Sequence, residues 1–212
     1  MSIRASVLAS MLALSAVAVG PGMSRSSLPA QAGAMDPLGV DFSKQDLVMA
    51  GNGCGMERWA VKTASDSDRN LVSTTQHLTT IDALRSVRAP SSLPSSNRVR
   101  PTELTEYVIA GTLTGYKQEA DGDIHLIITN SAGRTMIAEL ADPRCVVAAR
   151  FRTEISNVRR LFLSRYRPDG TMRNPHRAIR VRGIGFFDYR HGQAGVAPNG
   201  IELHPVLGLG FP

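Results

Sequence analysis

Aromatic residues make up only 5% of this 212-residue chain, with one tryptophan, Trp59. A protein that threads single-stranded nucleic acid needs a series of aromatic platforms for successive bases, and such a surface is poorly supplied here. Lysine is almost missing: Lys44, Lys62 and Lys117 are the only ones, and every other basic residue is arginine. That skew fits a GC-rich coding sequence as well as any selected chemistry. The two cysteines, Cys54 and Cys145, form no Cys-x-x-Cys pair, which removes zinc-ribbon and thioredoxin-type redox chemistry. Absent too are a Gly-x-Ser-x-Gly elbow, a His-Glu-x-x-His helix, a phosphate loop and a dinucleotide fingerprint. After residue 34 there is no apolar run long enough to span a bilayer, for which about 20 residues are needed.

What is present begins with a leader. Arg4 provides a positive start, Ala5 to Gly20 is uncharged and apolar, and a Ser/Pro-rich stretch leads to Ala30-Gln31-Ala32-Gly33-Ala34. This is the pattern of a secretory signal peptide over residues 1–34, cleaved after Ala32 or Ala34. The expected protein is secreted, extracellular or periplasmic, and has no transmembrane segment after cleavage. Its remaining 178 residues are enough for one domain with a proper core. In an oxidising compartment Cys54 and Cys145 are most simply one disulfide, and closing so long a loop restricts the unfolded chain by roughly 4 to 5 kcal/mol.

The net charge of +6 falls to +4 without the two arginines of the leader. Its distribution is uneven. Between Arg144 and Arg182 eleven arginines stand against only Glu154 and Asp169. A positive field of that density suits an anionic polymer or envelope component, and it also suits a merely solvated surface. The arginines expected to face such a partner are Arg159, Arg160, Arg180 and Arg182.

Periodicity divides the chain into two regions. Residues 35–104 read as a partly ordered N-terminal arm: Glu57 to Lys62 as a short extended piece, a capped helix from Thr79-Thr80 through Val87, and a Pro/Ser-rich loop from Ser91 to Pro101 whose Arg98 looks too polar for a core. Residues 105–212 alternate with period two. A long strand begins at Thr105, with Gly111 and Gly115 permitting strong coiling. Asp121-Gly122 turns the chain into a second strand from Asp123 to Thr129, and Thr135 to Leu140 makes a third. Phe151, Ile155, Val158 and Phe162 form the apolar stripe of a helix of roughly 13 residues, which sets Arg152, Arg159 and Arg160 toward solvent. Arg177 to Asp188 is a fourth strand with a bulge near Gly183-Ile184-Gly185, and Ile201 to Leu209 is the last. Three strands, a helix and two strands is the order of a five-stranded oligonucleotide/oligosaccharide-binding (OB) barrel. The fold expected is therefore mainly β with one helix in the barrel, an OB-like five-stranded barrel with a partly ordered arm; an open antiparallel sheet with a helix on its face is the rival.

Two resemblances rest on particular residues. Asp121-Gly122-Asp123-Ile124-His125-Leu126, Asp142-Pro143-Arg144-Cys145, Gly185-Phe186-Phe187-Asp188 and Ile201-Glu202-Leu203-His204-Pro205-Val206 resemble a group of exported bacterial proteins of unassigned function, over most of the globular region. A shorter stretch, Asp121 to Leu126 with Gly133-Arg134-Thr135-Met136 and Ala141-Asp142-Pro143, is similar to the hairpin and strand end of staphylococcal-nuclease-like barrels. That second resemblance implies a calcium ion held by Asp123 and Asp142, and hence a metal-dependent phosphodiesterase. The chain departs from it where an arginine and a glutamate are required, with Ile137 and Arg144-Cys145 near those places, and a phosphodiester transition state would lack their charge.

One constellation follows from strand geometry alone. Asp123 and His125 are i, i+2 on one strand and Glu202 and His204 are i, i+2 on another, so each pair shares a face. Such groups bind a divalent metal, contact a ligand or hydrogen-bond structurally. The loop from Asp188 to Gly195 gathers charge and flexibility, adding Asp188 and His191 as ligand-contacting residues. The expectation is an exported, monomeric, disulfide-containing binding or structural module with no cofactor; a degenerate nuclease-like phosphodiesterase with a divalent metal is the alternative.

Overall fold

Alternating apolar residues from Glu106 onward fold as expected into strands whose inner faces form one core. A computed structural model of the chain describes residues 54, 57–146 and 149–212; the expected signal peptide and most of the first half of the arm lie outside the described residues. The strands are β1 (Gln76–Leu78), β2 (Glu106–Gln118), β3 (Ile124–Thr129), β4 (Thr135–Leu140), β5 (Arg177–Phe187) and β6 (Ile201–Gly210), and the helices are α1 (Trp59–Lys62), α2 (Ile81–Arg85) and α3 (Arg152–Leu163).

Pairing closes a five-stranded barrel. The order runs β2-β3-β4-β6-β5, and β5 returns to β2; β4 and β6 are parallel, and the other barrel pairs are antiparallel. Closure depends on β2, whose first half pairs with β5 and whose second half pairs with β3. A strand serving two neighbours must coil sharply, and the register shifts between Leu113 and Gly115. Gly111 allows the close approach this requires, since a Cβ there would sit 2.8 Å from the Thr129 carbonyl oxygen. The expected bulge in β5 is present as register shifts around Gly183. β1 adds in parallel beside the start of β2.

Ile109, Leu113, Ile124, Leu126, Ile128, Met136, Leu140, Val181 and Leu203 fill the interior at 1% exposure or less. The stripe of α3 is buried as its spacing predicts: Val158 and Phe162 join this main cluster, while Phe151 and Ile155 pack into a second with Val72, Ile184 and Leu207. Phe162 meets Tyr116 edge-on at 5.3 Å between ring centres, an arrangement that aromatic quadrupoles favour. Cys54 and Cys145 are joined, with Cα atoms 5.6 Å apart.

The described part of the arm differs from the expectation in two places. Glu57 to Lys62 is not extended: Trp59–Lys62 forms the single turn α1, entered through Arg58 in the left-handed region at φ 56°. Arg98 is buried, not a loop residue in water, because its guanidinium donates to both carboxylate oxygens of Asp66 and to the Glu103 and Val61 carbonyls. Arg58 is held likewise by Glu103, in a bidentate pair at 2.6 and 2.7 Å. Both buried ion pairs lie within residues 57–104, and the Arg58–Glu103 pair joins that segment to the barrel through the Phe187 backbone, whose N–H donates to Glu103 and whose carbonyl accepts from Arg58. The predicted helix start is correct in type, with the Thr80 hydroxyl accepting from the Ala83 N–H.

Candidate functional site

The inward set Ile124, Leu126 and Ile128 on β3 leaves Asp123 and His125 on the outer face. By the same alternation Glu139 on β4 and Glu202 and His204 on β6 face outward, and β3–β4 register sets His125 directly opposite Glu139. An outward residue of a small barrel normally meets water. Here Asp123 and His204 are fully buried and His125 and Glu202 nearly so, because Lys62 of α1 and the loop after β5 cover this face. The two sequence-predicted pairs therefore come together as one cluster, joined by Glu139 and Lys62, which sequence reasoning missed.

Each group titrates according to its neighbours. The His125 ring lies between Glu139 Oε1 at 3.1 Å and the Ala194 carbonyl oxygen at 2.9 Å. Burial disfavours its charge, but the bond to Glu139, the Glu139 charge and the Ala194 carbonyl outweigh it and raise the pKa. Partial burial opposes the charge of Glu139, yet His125, His204 and Lys62 bring its pKa down to about 2. Glu202 moves the other way, burial and the Glu139 charge pushing it up to about 7. Lys62, at 3.1 Å from Asp188 Oδ2, is held protonated above the ordinary lysine range: burial opposes its charge, and Asp188, Glu202 and Glu139 overcome that.

His204 is the centre of the cluster. Its Nε2 is 3.3 Å from Asp123 Oδ2, and its Nδ1 is 3.3 Å from Glu139 Oε2 and 3.5 Å from Glu202 Oε1. Burial disfavours the imidazolium, but these carboxylates raise its pKa to about 10. The contacts are electrostatic, not hydrogen bonds: Asp123 Oδ2, Glu202 Oε1 and both His204 ring nitrogens are buried without a hydrogen-bond partner.

The calcium pair implied by the nuclease resemblance does not fit. Asp123 Oδ1 accepts the backbone N–H of Asp142 at 2.7 Å, so the two aspartates meet through the main chain. The Asp142 carboxylate is taken by Arg144, whose backbone N–H, Nε and Nη2 all donate to it, and Arg159 Nη2 lies 3.8 Å away. Burial opposes ionisation of Asp142, but the Arg144 bonds hold its pKa below the usual carboxylate range. Gly122 is part of the same packing, since a Cβ there would sit 2.5 Å from Asp142 Oδ2.

The remaining predicted residues lie apart. Asp188 pairs with Lys62 at the edge of the cluster, and His191 is an exposed partner of Glu57 at 2.9 Å. Arg159, expected in solvent, is buried: its guanidinium turns back to donate to the carbonyls of Leu140 at 3.0 Å and Gly122 at 2.7 Å. A long side chain off the apolar stripe can still bury its head when main-chain acceptors lie within reach. Arg182 is half-buried and bound to Glu106 and the Leu207 carbonyl. Arg160 and Arg180 stay exposed. Beside them the structure adds two arginines not singled out from sequence, Arg165 and Arg177. With Tyr166, His176 and Phe211 they line a cleft of about 330 Å³. Arg165 lies over the Phe211 ring at 4.7 Å, and His176 holds a left-handed φ of 48°.

Fold and site together define a closed OB-like barrel with a buried carboxylate–imidazole cluster on one outer face and an arginine-lined cleft elsewhere. No family model matches the chain, and no curated protein is similar to it. No helix among the described residues is long and apolar enough to cross a membrane.

Proposed function

We propose that the protein is an exported binding module that holds an anionic envelope polymer, carrying carboxylate or phosphate groups, at the Arg165–Arg177 cleft. One observation carries this reading. Among the described residues no carboxylate pairs with Arg165, Arg177 or Arg180, whereas Arg144, Arg173 and Arg182 are each paired with an acid and the guanidinium groups of Arg150 and Arg159 are turned to main-chain carbonyls. The unpaired charges are free to meet a ligand, and Tyr166 and Phe211 offer an apolar floor beneath them. Export is supported by the leader and by the Cys54–Cys145 disulfide. A phosphodiesterase finds no support in the geometry: Asp142 is already saturated and Asp123 is out of reach of any substrate.

Chromatography on immobilised heparin tests the proposal. Arg165→Glu with Arg177→Glu should elute at clearly lower salt than wild type. The control Arg88→Glu with Arg100→Glu, matched in net charge and outside the cleft lining, should shift much less. Equal elution of both double variants would reduce the binding to net charge alone.

A further inference from the structure

The orphaned atoms around His204 call for a partner. Asp123, Glu139 and His204 each offer one ligating atom, and these lie within 4.8 Å of one another. A buried polar atom left unsatisfied is costly, and four of them converge here: Asp123 Oδ2, Glu202 Oε1, His204 Nδ1 and His204 Nε2. Their residues are at most 3% exposed, so bulk water does not satisfy them.

We propose that Asp123, Glu139 and His204 form a buried site for a divalent metal ion of the zinc type. The spacing fits. Tetrahedral bonds of about 2.0 to 2.1 Å separate two ligand atoms by roughly 3.3 Å, and His204 Nε2 and Asp123 Oδ2 are 3.3 Å apart. An ion between them gives both atoms a partner, and Glu139, whose Oε2 lies 3.3 Å from the other ring nitrogen, Nδ1, turns toward the ion to become the third ligand. Nδ1 then carries the proton, and Glu202 Oε1, 3.5 Å away, is the carboxylate that a small closing movement brings into hydrogen-bond contact with it. A histidine that ligates through one nitrogen and donates to a carboxylate through the other is the usual support of such sites.

Charge balance allows the exchange. Four carboxylates, Asp123, Glu139, Asp188 and Glu202, stand against the Lys62 ammonium, the His125 ring and the proton on His204. The carboxylates that favour a proton on His204 favour a dication in its place, and the ion displaces that proton as it binds. The site is distinct from the Asp123–Asp142 pair, because Glu139 and His204 lie on β4 and β6 and Asp142 is consumed by Arg144.

The test is zinc binding by the full chain, stripped with EDTA and titrated by calorimetry. Because the site is buried, the titration is repeated on protein refolded from denaturant in the presence of zinc. One zinc per chain is expected, with affinity at least tenfold lower in Asp123→Asn and in Glu139→Gln and unchanged in the exposed His77→Ala. Zinc-edge anomalous diffraction from wild-type crystals keeps the proposal falsifiable if a variant fails to fold. A peak between Asp123 Oδ2 and His204 Nε2 supports it. No zinc in folded wild type under either protocol, a peak elsewhere, or undiminished binding by both folded variants overturns it.

Discussion

Replacing Glu103 by alanine should destabilise this protein more than almost any other single change outside the apolar core. Glu103 is fully buried and accepts four hydrogen bonds: from Arg58 Nη1 at 2.6 Å, Arg58 Nη2 at 2.7 Å, and the backbone N–H groups of Val99 at 2.6 Å and Phe187 at 2.8 Å. It thereby ties the segment before the barrel to the end of β5. Truncation leaves the Arg58 guanidinium buried without its counter-charge, although the carbonyls of Pro94, Asn97 and Phe187 still accept from it. Breaking one side of a buried pair costs about 3 to 5 kcal/mol, and each stranded backbone N–H adds of the order of 1 kcal/mol after local relaxation. The expected loss is about 5 to 7 kcal/mol. For a domain of this size that corresponds to a fall in Tm of roughly 10 to 28 °C by calorimetry or circular dichroism. Exchanging both partners, Arg58→Met with Glu103→Leu, should recover only the part of the loss due to the unpaired charge, since the Val99 and Phe187 N–H groups and the Pro94, Asn97 and Phe187 carbonyls still lose their side-chain partners. A Tm within about 3 °C of wild type for Glu103→Ala would refute the claim that this pair anchors the segment.

Non-reducing peptide mass spectrometry should find Cys54 linked to Cys145, and reduction should lower the Tm by several degrees or more, because a bond between residues 91 apart restricts the unfolded chain by roughly 4 to 5 kcal/mol. Arg159→Glu should lower the Tm well below that of Arg160→Glu, since only the first abandons two buried carbonyl acceptors and sets a carboxylate beside Asp142; equal Tm values would contradict the placement of Arg159. In EDTA the Tm should peak near pH 5 and decline toward pH 9. Glu202, near 7 when folded against 4.5 ordinarily, contributes stability that is lost as pH rises through 7; His204, near 10 against 6.5, contributes stability that is lost as pH rises through 10. Glu139, near 2 against 4.5, contributes above 4.5 and loses its contribution as pH falls toward 2, which sets the acid side of the peak; a flat profile across pH 5 to 9 would show that the cluster does not titrate in this way.

The barrel was legible because its signals are local. Ile124, Leu126 and Ile128 alternate within one strand, Asp121-Gly122 marks its hairpin, and Phe151, Ile155, Val158 and Phe162 recur at helical spacing. Most of the cluster was legible for the same reason, as two i, i+2 pairs. Glu139 could have been found by counting back along the β3–β4 hairpin, where Thr129 opposes Thr135 and His125 therefore opposes Glu139. The burial of these groups was not legible, since the residues that cover them, Lys62 and Ala194, come from distant parts of the chain with no periodic mark. Arg58 with Glu103 and Arg98 with Asp66 are separated by 45 and 32 positions, and charged residues in a Pro/Ser-rich stretch read as solvent-facing. Arg159 was misplaced because a helical wheel locates a Cα and not the end of a long side chain.

The salt dependence of polyanion affinity tests the central claim most directly. Binding of a soluble polyphosphate or acidic polysaccharide is measured by calorimetry from low to physiological salt, for wild type and for Arg165→Ala with Arg177→Ala. Wild-type affinity should fall steeply as salt rises, because each neutralised ligand charge releases a counterion, and the double variant should bind more weakly with a shallower slope. An unchanged slope and affinity in the double variant, with its Tm intact, would contradict the cleft as the binding site.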